Sequence, residues 1–193
     1  MLVAFDMHET LLDLSVLDQP FRETFGSDAM RRAWFAQMLQ LSFVGGLTGA
    51  YVNFTQAQEA SFLMLASQHG LDLASEDAHA MVDRMTRLPV HPEVPTALHA
   101  LQQSGATIVA LANSTQQVVE AQLHFAGLRH FFDAVCSADS IQRPKPAAAA
   151  YAMVAEDLGA SIADIWLVAA HSWDVSGALT AGCSAALSHA QAR

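Results

Sequence analysis

Residues 2–14 read LVAFDMHETLLDL, and the fold turns on how that stretch divides. Leu2, Val3, Ala4 and Phe5 form an apolar run of strand length, and Asp6 follows where such a strand leaves the core. Thr10 stands four residues further on, with His8 and Glu9 between. A carboxylate at a strand end has two readings. It caps the following turn or helix, or it is a nucleophile able to form a covalent ester. Thr10 either hydrogen-bonds that carboxylate or caps the next helix. The pair decides nothing alone, so the rest of the chain has to be read for company.

Four more short apolar runs follow, at 107–111 (TIVAL), 132–136 (FDAVC), 165–169 (IWLVA) and, more weakly, 184–187. Helix-like stretches separate them at 93–103, 116–127, 147–158 and 175–182, with Gly105, Gly127, Gly159 and Gly182 near their ends. Strand alternating with helix predicts right-handed crossovers and a parallel sheet covered on both faces. Ligands of such sheets bind beyond the carboxyl ends of the strands. Between 14 and 88 the pattern changes. Residues 31–44, 54–69 and 76–87 read as amphipathic helices, GGLTGAY (45–51) as a flexible break among them, and no strand intervenes. LPVHPEVP (88–95) returns the chain to the sheet. The expected architecture is α/β: a Rossmann-like parallel core of about five strands, formed by 1–13 and 89–193, with residues 14–88 inserted as a helical cap.

The polar residues gather at the predicted strand ends. ANST (112–115) follows the second strand and offers Asn113, Ser114 and backbone N–H groups to an anion. QRPKPAAAAY (142–151) follows the third and carries Lys145, the only lysine in the chain. AHSWD (170–174) follows the fourth and carries His171, Trp173 and Asp174. An acid, a polar turn, a lone lysine and a second acid at successive strand ends converge on one mouth.

Composition sets the outer limits. The chain has 193 residues, 52% of them hydrophobic, which suffices for one core domain and a smaller second one. Nineteen acidic against nine basic residues give a net charge of −10, which argues against a nucleic-acid partner. No apolar run reaches the roughly 18 residues of a membrane span, and no basic region precedes the first apolar stretch as in a signal peptide. A cytoplasmic protein without a membrane partner is expected, with Cys136 and Cys183 as buried free thiols.

FDMHETLLD (5–13), LANS (111–114), KPAAAAY (145–151) and AAHSWDVSGA (169–178) together resemble the haloacid dehalogenase superfamily in order and spacing. AYVNFTQAQEA (50–60) and the Trp173–Asp174 pair are similar to the type II L-2-haloacid dehalogenase branch. That resemblance implies a cofactor-free and metal-free hydrolase acting on a small carboxylic acid. Asp6 displaces halide from C2 and forms an ester, and water assisted by Asp174 and Lys145 then frees a 2-hydroxy acid. Thr10, Asn113, Ser114, Phe54, Trp173, His8 and His171 line or support the pocket, with plain packing between cap and core an equal reading for Phe54 and Trp173. It also implies a homodimer joined through cap helices.

Five positions depart from the branch. His8 stands where the superfamily's phosphatases have Asp and many dehalogenases Tyr. It either works as an acid or base beside Asp6 or holds the loop. Glu9 stands where glycine is frequent and is expected to point outward and pair with the cap. Ala112 replaces a Ser or Thr hydroxyl. Phe35, counted from the tryptophan of RRAWFAQ (31–37), falls where the branch carries a halide-cradling arginine, with Arg22, Arg31 and Arg32 nearby in sequence. His171 stands where Asn is common. Two independent histidines or, less in keeping with their sequence separation, a metal site with Asp6 and Asp174 are the readings of His8 and His171. A magnesium-dependent phosphatase and a non-catalytic binding protein are the alternatives, the first weakened by His8 and Ala170 where its acids would stand.

Overall fold

Leu2 and Ala4 pack into one hydrophobic cluster and Val3 and Phe5 into another, so the first strand is buried on both faces. That is the position of a central strand in a sheet covered on both sides. The computed structural model describes residues 1–188. In chain order it contains β1 (Leu2–Phe5), α1 (Asp18–Phe25), α2 (Ala29–Thr48), α3 (Phe54–Gln68), α4 (Ser75–Asp83) and α5 (Val94–Gln103). There follow β2 (Thr107–Ala112), α6 (Gln116–Phe125), β3 (Ala134–Ser137), α7 (Ala148–Leu158), β4 (Ile165–Ala169), α8 (Ser172–Ala181) and β5 (Ser184–Leu187). The five strands pair in parallel in the order β3-β2-β1-β4-β5. The chain leaves β1 for one flank of the sheet and later crosses to the other. The switch point therefore lies at the carboxyl ends of β1, β2 and β4, where a crevice forms.

The first face of the sheet carries a core that runs on without a break into the helical insertion. Val3, Phe5, Ile108 and Ala110 belong to the same cluster as Trp34, Met38, Phe62, Met81 and Met85. Trp34, fully buried, donates its indole N–H to the carbonyl of Gln58 at 2.9 Å and so ties α2 to α3. The second face packs Leu2, Ala4, Val109, Leu111 and Leu167 against Tyr151, Val154 and Ala178 of α7 and α8.

The structure alters the sequence reading at three places. Residues 45–46 do not break the chain: α2 continues through them to Thr48 and ends at Gly49, whose φ is 78°. Both glycines are there for close approach. A Cβ on Gly45 would stand 3.0 Å from the carbonyl oxygen of Ala50, and one on Gly46 3.0 Å from Cγ of Pro144. An unexpected α1 precedes α2, with Pro20 in its first turn, where proline's missing N–H costs nothing. The last helix starts at Ser172 instead of 175, which puts Asp174 in its first turn. Residues 189–193, the tail of the predicted core segment, lie outside the described residues.

Gly177 shows how tightly the site's supports are packed. A Cβ there would lie 2.4 Å from Cβ of Pro146 and 2.7 Å from the hydroxyl of Tyr151. Both neighbours belong to the segment that presents Lys145. Gly177→Ala is therefore expected to destabilise the fold by about 1–3 kcal/mol, seen as a lower urea midpoint. An unchanged midpoint would mean that α8 moves freely against this segment.

Candidate active site

Asp6 leaves β1 with its backbone N–H donated to the carbonyl of Val168, so its position is set by the β1–β4 pairing. Its carboxylate is 7% exposed and gripped from several sides. Lys145 Nζ donates to Oδ1 at 2.8 Å, and the Thr10 hydroxyl to Oδ2 at 3.0 Å. His171 Nδ1 approaches Oδ2 at 3.4 Å. Thr10 in turn accepts the N–H of Ala170 at 2.9 Å, which links the loop after β1 to the end of β4. Burial alone would raise the Asp6 carboxyl, but Lys145 and His171 overcome it and hold it well below the usual carboxylate range. Asp6 is thus an ionised carboxylate at the sheet's mouth.

Lys145 is 1% exposed and bridges two acids, with Asp174 Oδ2 at 2.6 Å on its other side. Burial works against the ammonium, while Asp174 and Asp6 more than restore it, so its pKa stands above the ordinary lysine value. Its backbone is clamped by Asn113, which accepts the Lys145 N–H at 2.7 Å and donates to the Lys145 carbonyl at 3.2 Å. Both polar atoms of Asn113 are therefore spent on placing the lysine. Asp174 is completely buried. Its Oδ1 accepts the Tyr151 hydroxyl at 2.6 Å, and Oδ2 accepts Lys145. Burial pushes both the Asp174 carboxyl and the Tyr151 hydroxyl up.

A cavity lies in front of Asp6, bounded by Met7, His8, Phe35, Leu39, Phe54, Ala112, Asn113, Lys145, His171 and Trp173. Its volume is about 10 Å³, measured for the centre of a water-sized sphere. That is room for about one water. Of the residues singled out from sequence, Asp6, His8, Phe54, Asn113, Lys145, His171 and Trp173 line it. Thr10, Ser114 and Asp174 do not. Thr10 and Asp174 stand behind the wall as partners of Asp6 and Lys145, and the Ser114 carbonyl accepts the Ser137 hydroxyl at 2.6 Å.

His8 does not hydrogen-bond Asp6. It stacks on Phe54, with ring centroids 5.9 Å apart, and its Nε2 lies 2.9 Å from the side-chain nitrogen of Gln122. That nitrogen also donates to the Met85 carbonyl at 2.7 Å. A carbonyl only accepts, so the Gln122 amide must turn its NH₂ toward Met85, and His8 Nε2 must accept the remaining hydrogen. His8 is accordingly neutral, and burial lowers its pKa to about 4. Gln122 is not singled out by the sequence, where the one signal is a glutamine at helical spacing from Val119 and beside Leu123; the structure buries it completely.

Glu9 does pair with the cap, but inward. Its Oε1 accepts Arg31 Nη1 at 3.1 Å and its Oε2 meets His171 Nε2 at 2.9 Å. Arg31, itself buried, is anchored from behind by Asp18. Arg22 instead pairs at the surface with Asp28. Phe35 occupies the cavity wall, and its ring stacks on His171 at 5.6 Å.

A family model for haloacid dehalogenase-like hydrolases matches residues 1–182 of this chain. The chain belongs to that family. It is 31% identical over 178 residues to an (S)-2-haloacid dehalogenase of Pseudomonas sp. (strain YL), spanning 91% of this chain and 77% of that one. It is also 31% identical over 182 residues to haloacetate dehalogenase H-2 of Moraxella sp. (strain B), spanning 93% and 81%. Among solved structures, it superposes with a TM-score of 0.91 on an L-2-haloacid dehalogenase of Xanthobacter autotrophicus with chloropropionic acid covalently bound. That match has 26% identity and covers 97% of this chain and 77% of the other. The expected α/β fold is the one these haloacid dehalogenase structures share.

Proposed function

We propose that this haloacid dehalogenase-like hydrolase cleaves the carbon–halogen bond of a small 2-haloacid through an ester on Asp6. The observation that carries the reading is the ionised Asp6 carboxylate, held between Lys145 and His171 on a cavity wall. A carboxylate oxygen attacks C2, the halide leaves with the bonding pair, and C2 inverts. Water then adds to the ester carbonyl, and the Lys145 ammonium steadies the oxyanion that forms. The ester carbonyl bond to the substrate oxygen breaks, and a 2-hydroxy acid departs. Asp174 and Tyr151 serve this chemistry by keeping Lys145 charged and in place.

Trp173 supports a place for the substrate's anionic end or the halide. Its indole N–H is buried without a protein partner among the described residues, on a residue that lines the cavity. A cavity with room for about one water is smaller than any 2-haloacid, so binding must part the wall formed by Phe35, Leu39 and Phe54 from the sheet. Residues 14–88 act in this reading as a cap over the core formed by 1–13 and 89–193. Two copies joined through that cap would cover Val44, Leu47 and Met64, which are exposed on α2 and α3. Among the described residues no helix is long and apolar enough to cross a membrane, and both cysteines are free and buried. A cytoplasmic enzyme suits those thiols.

Magnesium phosphatase chemistry fits the donor set poorly. The nucleophile's immediate neighbours are cationic, His8 Nε2 is engaged by Gln122, and both Asp174 oxygens are occupied. Among the described residues no group of three His, Cys, Asp or Glu side chains is arranged to hold a metal ion.

Halide release from 2-chloro, 2-bromo and 2-fluoro acids, with and without EDTA, tests the proposal. Release that is indifferent to EDTA is expected for at least one of them. Silence across the panel, combined with magnesium-dependent hydrolysis of phosphate esters, would replace the dehalogenase reading with the phosphatase one.

A further inference from the structure

Seven charged groups alternate in sign across the site. Asp18 meets Arg31 and Arg31 meets Glu9, whose second oxygen meets His171. His171 meets Asp6, and Asp6 meets Lys145, which ends on Asp174. Only His171 in this row sits at the cavity with a nitrogen facing the nucleophile and its other nitrogen fixed by a second carboxylate. Its ring is sandwiched between Phe35 at 5.6 Å and Trp173 at 5.4 Å, which sets the plane. Glu9 holds its end from a backbone φ of 61°, a left-handed conformation that glycine would adopt freely. A glutamate there costs on the order of 1–2 kcal/mol, and such strain is kept where a side chain is needed. Asp174, the other acid at this mouth, is walled off with both oxygens engaged.

Resting on the proposed ester chemistry, we propose that His171, aligned by Glu9, is the general base that activates the hydrolytic water. Before reaction both ring nitrogens face carboxylates, so His171 is an imidazolium. Burial alone would depress it, but bonding to Asp6 and Glu9 pushes its pKa up to about 9. Alkylation turns the Asp6 carboxylate into a neutral ester and removes one of the two anions. His171 then loses its proton to solvent along with the departing halide. Glu9 keeps the remaining hydrogen on Nε2, which leaves the Nδ1 lone pair toward the ester. A water in the cavity adds its oxygen to the ester carbonyl carbon and gives a proton to Nδ1. The tetrahedral intermediate expels the 2-hydroxy acid's oxygen, which takes that proton from His171. Asp6, left as a carboxylic acid, returns its proton to Nδ1 and restores the ion pair. The sum is one haloacid and one water converted to one hydroxy acid, one halide ion and one proton. His171 is thus a catalytic residue and Glu9 a positioning residue.

His171→Phe keeps the aromatic sandwich and removes both nitrogens, while Glu9→Gln keeps a hydrogen-bonding side chain and removes the charge. Each variant and the wild type are mixed with 2-chloropropionate, quenched rapidly, and assayed for halide and intact mass. His171→Phe should release about one equivalent of chloride per site in a burst, retain the substrate's alkyl group as an ester on Asp6, and turn over at least about 100-fold more slowly. In Glu9→Gln the ester should decay along a pH limb shifted to lower pH. The free base is the active form, and losing Glu9 lowers the pH at which it appears. Asp6, Glu9, Lys145, His8 and Arg31 are the charged or titratable groups around the ring, and only Glu9 changes in this variant. Slow turnover of His171→Phe without a trapped ester, or an unshifted limb in Glu9→Gln, would overturn the assignment. If the wild type itself releases chloride without alkylating Asp6, the proposed function fails and this inference with it.

Discussion

Asp6→Asn is expected to abolish halide release, with a loss on the order of 10⁵-fold or more, the scale seen when a covalent nucleophile is removed. An amide oxygen is a far weaker nucleophile toward carbon than a carboxylate, so the halide is not displaced and no ester forms. The substitution is close to isosteric: the amide oxygen can keep the Lys145 bond made by Oδ1, and the amide NH₂ in place of Oδ2 can donate to the Thr10 hydroxyl oxygen. The fold should therefore survive, which circular dichroism and a urea midpoint near wild type would show. A residual rate within about 100-fold of wild type would mean that water attacks C2 directly.

The second large effect is expected at Lys145. Replacing it with methionine keeps the volume of the stem and leaves the carboxylates of Asp6 and Asp174 without the ammonium between them. Breaking a buried ion pair from one side typically costs about 3–5 kcal/mol. The loss should depend on pH in a definite sense. Without the ammonium, His171 alone holds the Asp6 carboxyl down and burial raises Asp174 with only the Tyr151 hydroxyl against it, so the folded protein binds a proton there more readily than the unfolded chain does. Protonation then relieves the uncompensated charge. The stability gap between variant and wild type should narrow as pH falls through the raised carboxyl pKa and widen as pH rises. Denaturation midpoints across the acid range measure this directly, and a gap independent of pH would remove Lys145 from the charge network. Turnover should also fall by about 10³-fold or more, since the oxyanion loses its donor and the nucleophile is partly protonated.

Much of this site was legible before any coordinates. The acid after LVAF, the lysine in KPAAAAY and the acid in HSWD converge because strand ends in a parallel sheet share one edge, a constraint that a one-dimensional pattern carries. Their division of labour was not legible. Whether Asp174 lines the cavity or stands behind Lys145 depends on where α8 starts, and that start moved from 175 to Ser172. Glycines at 45 and 46 looked like a break because close approach to Ala50 and Pro144 leaves no trace in local sequence. Glu9 was expected to point outward, yet a positive φ turned it toward Arg31 and His171. Gln122 and Tyr151 act only through partners far away in the chain, and periodicity does not report such pairings. Phe35 was noted only for the arginine it replaces, while its contact is with His171.

The most direct measurement is a single turnover in water enriched in heavy oxygen, with enzyme in excess over a 2-haloacid. If Asp6 carries the ester and water attacks its carbonyl, the label enters the Asp6 carboxylate and the first molecule of hydroxy acid contains none. Mass analysis of the peptide spanning residues 2–14 would show that gain. Label appearing at once in the product, with Asp6 unlabelled, would contradict covalent catalysis by this residue.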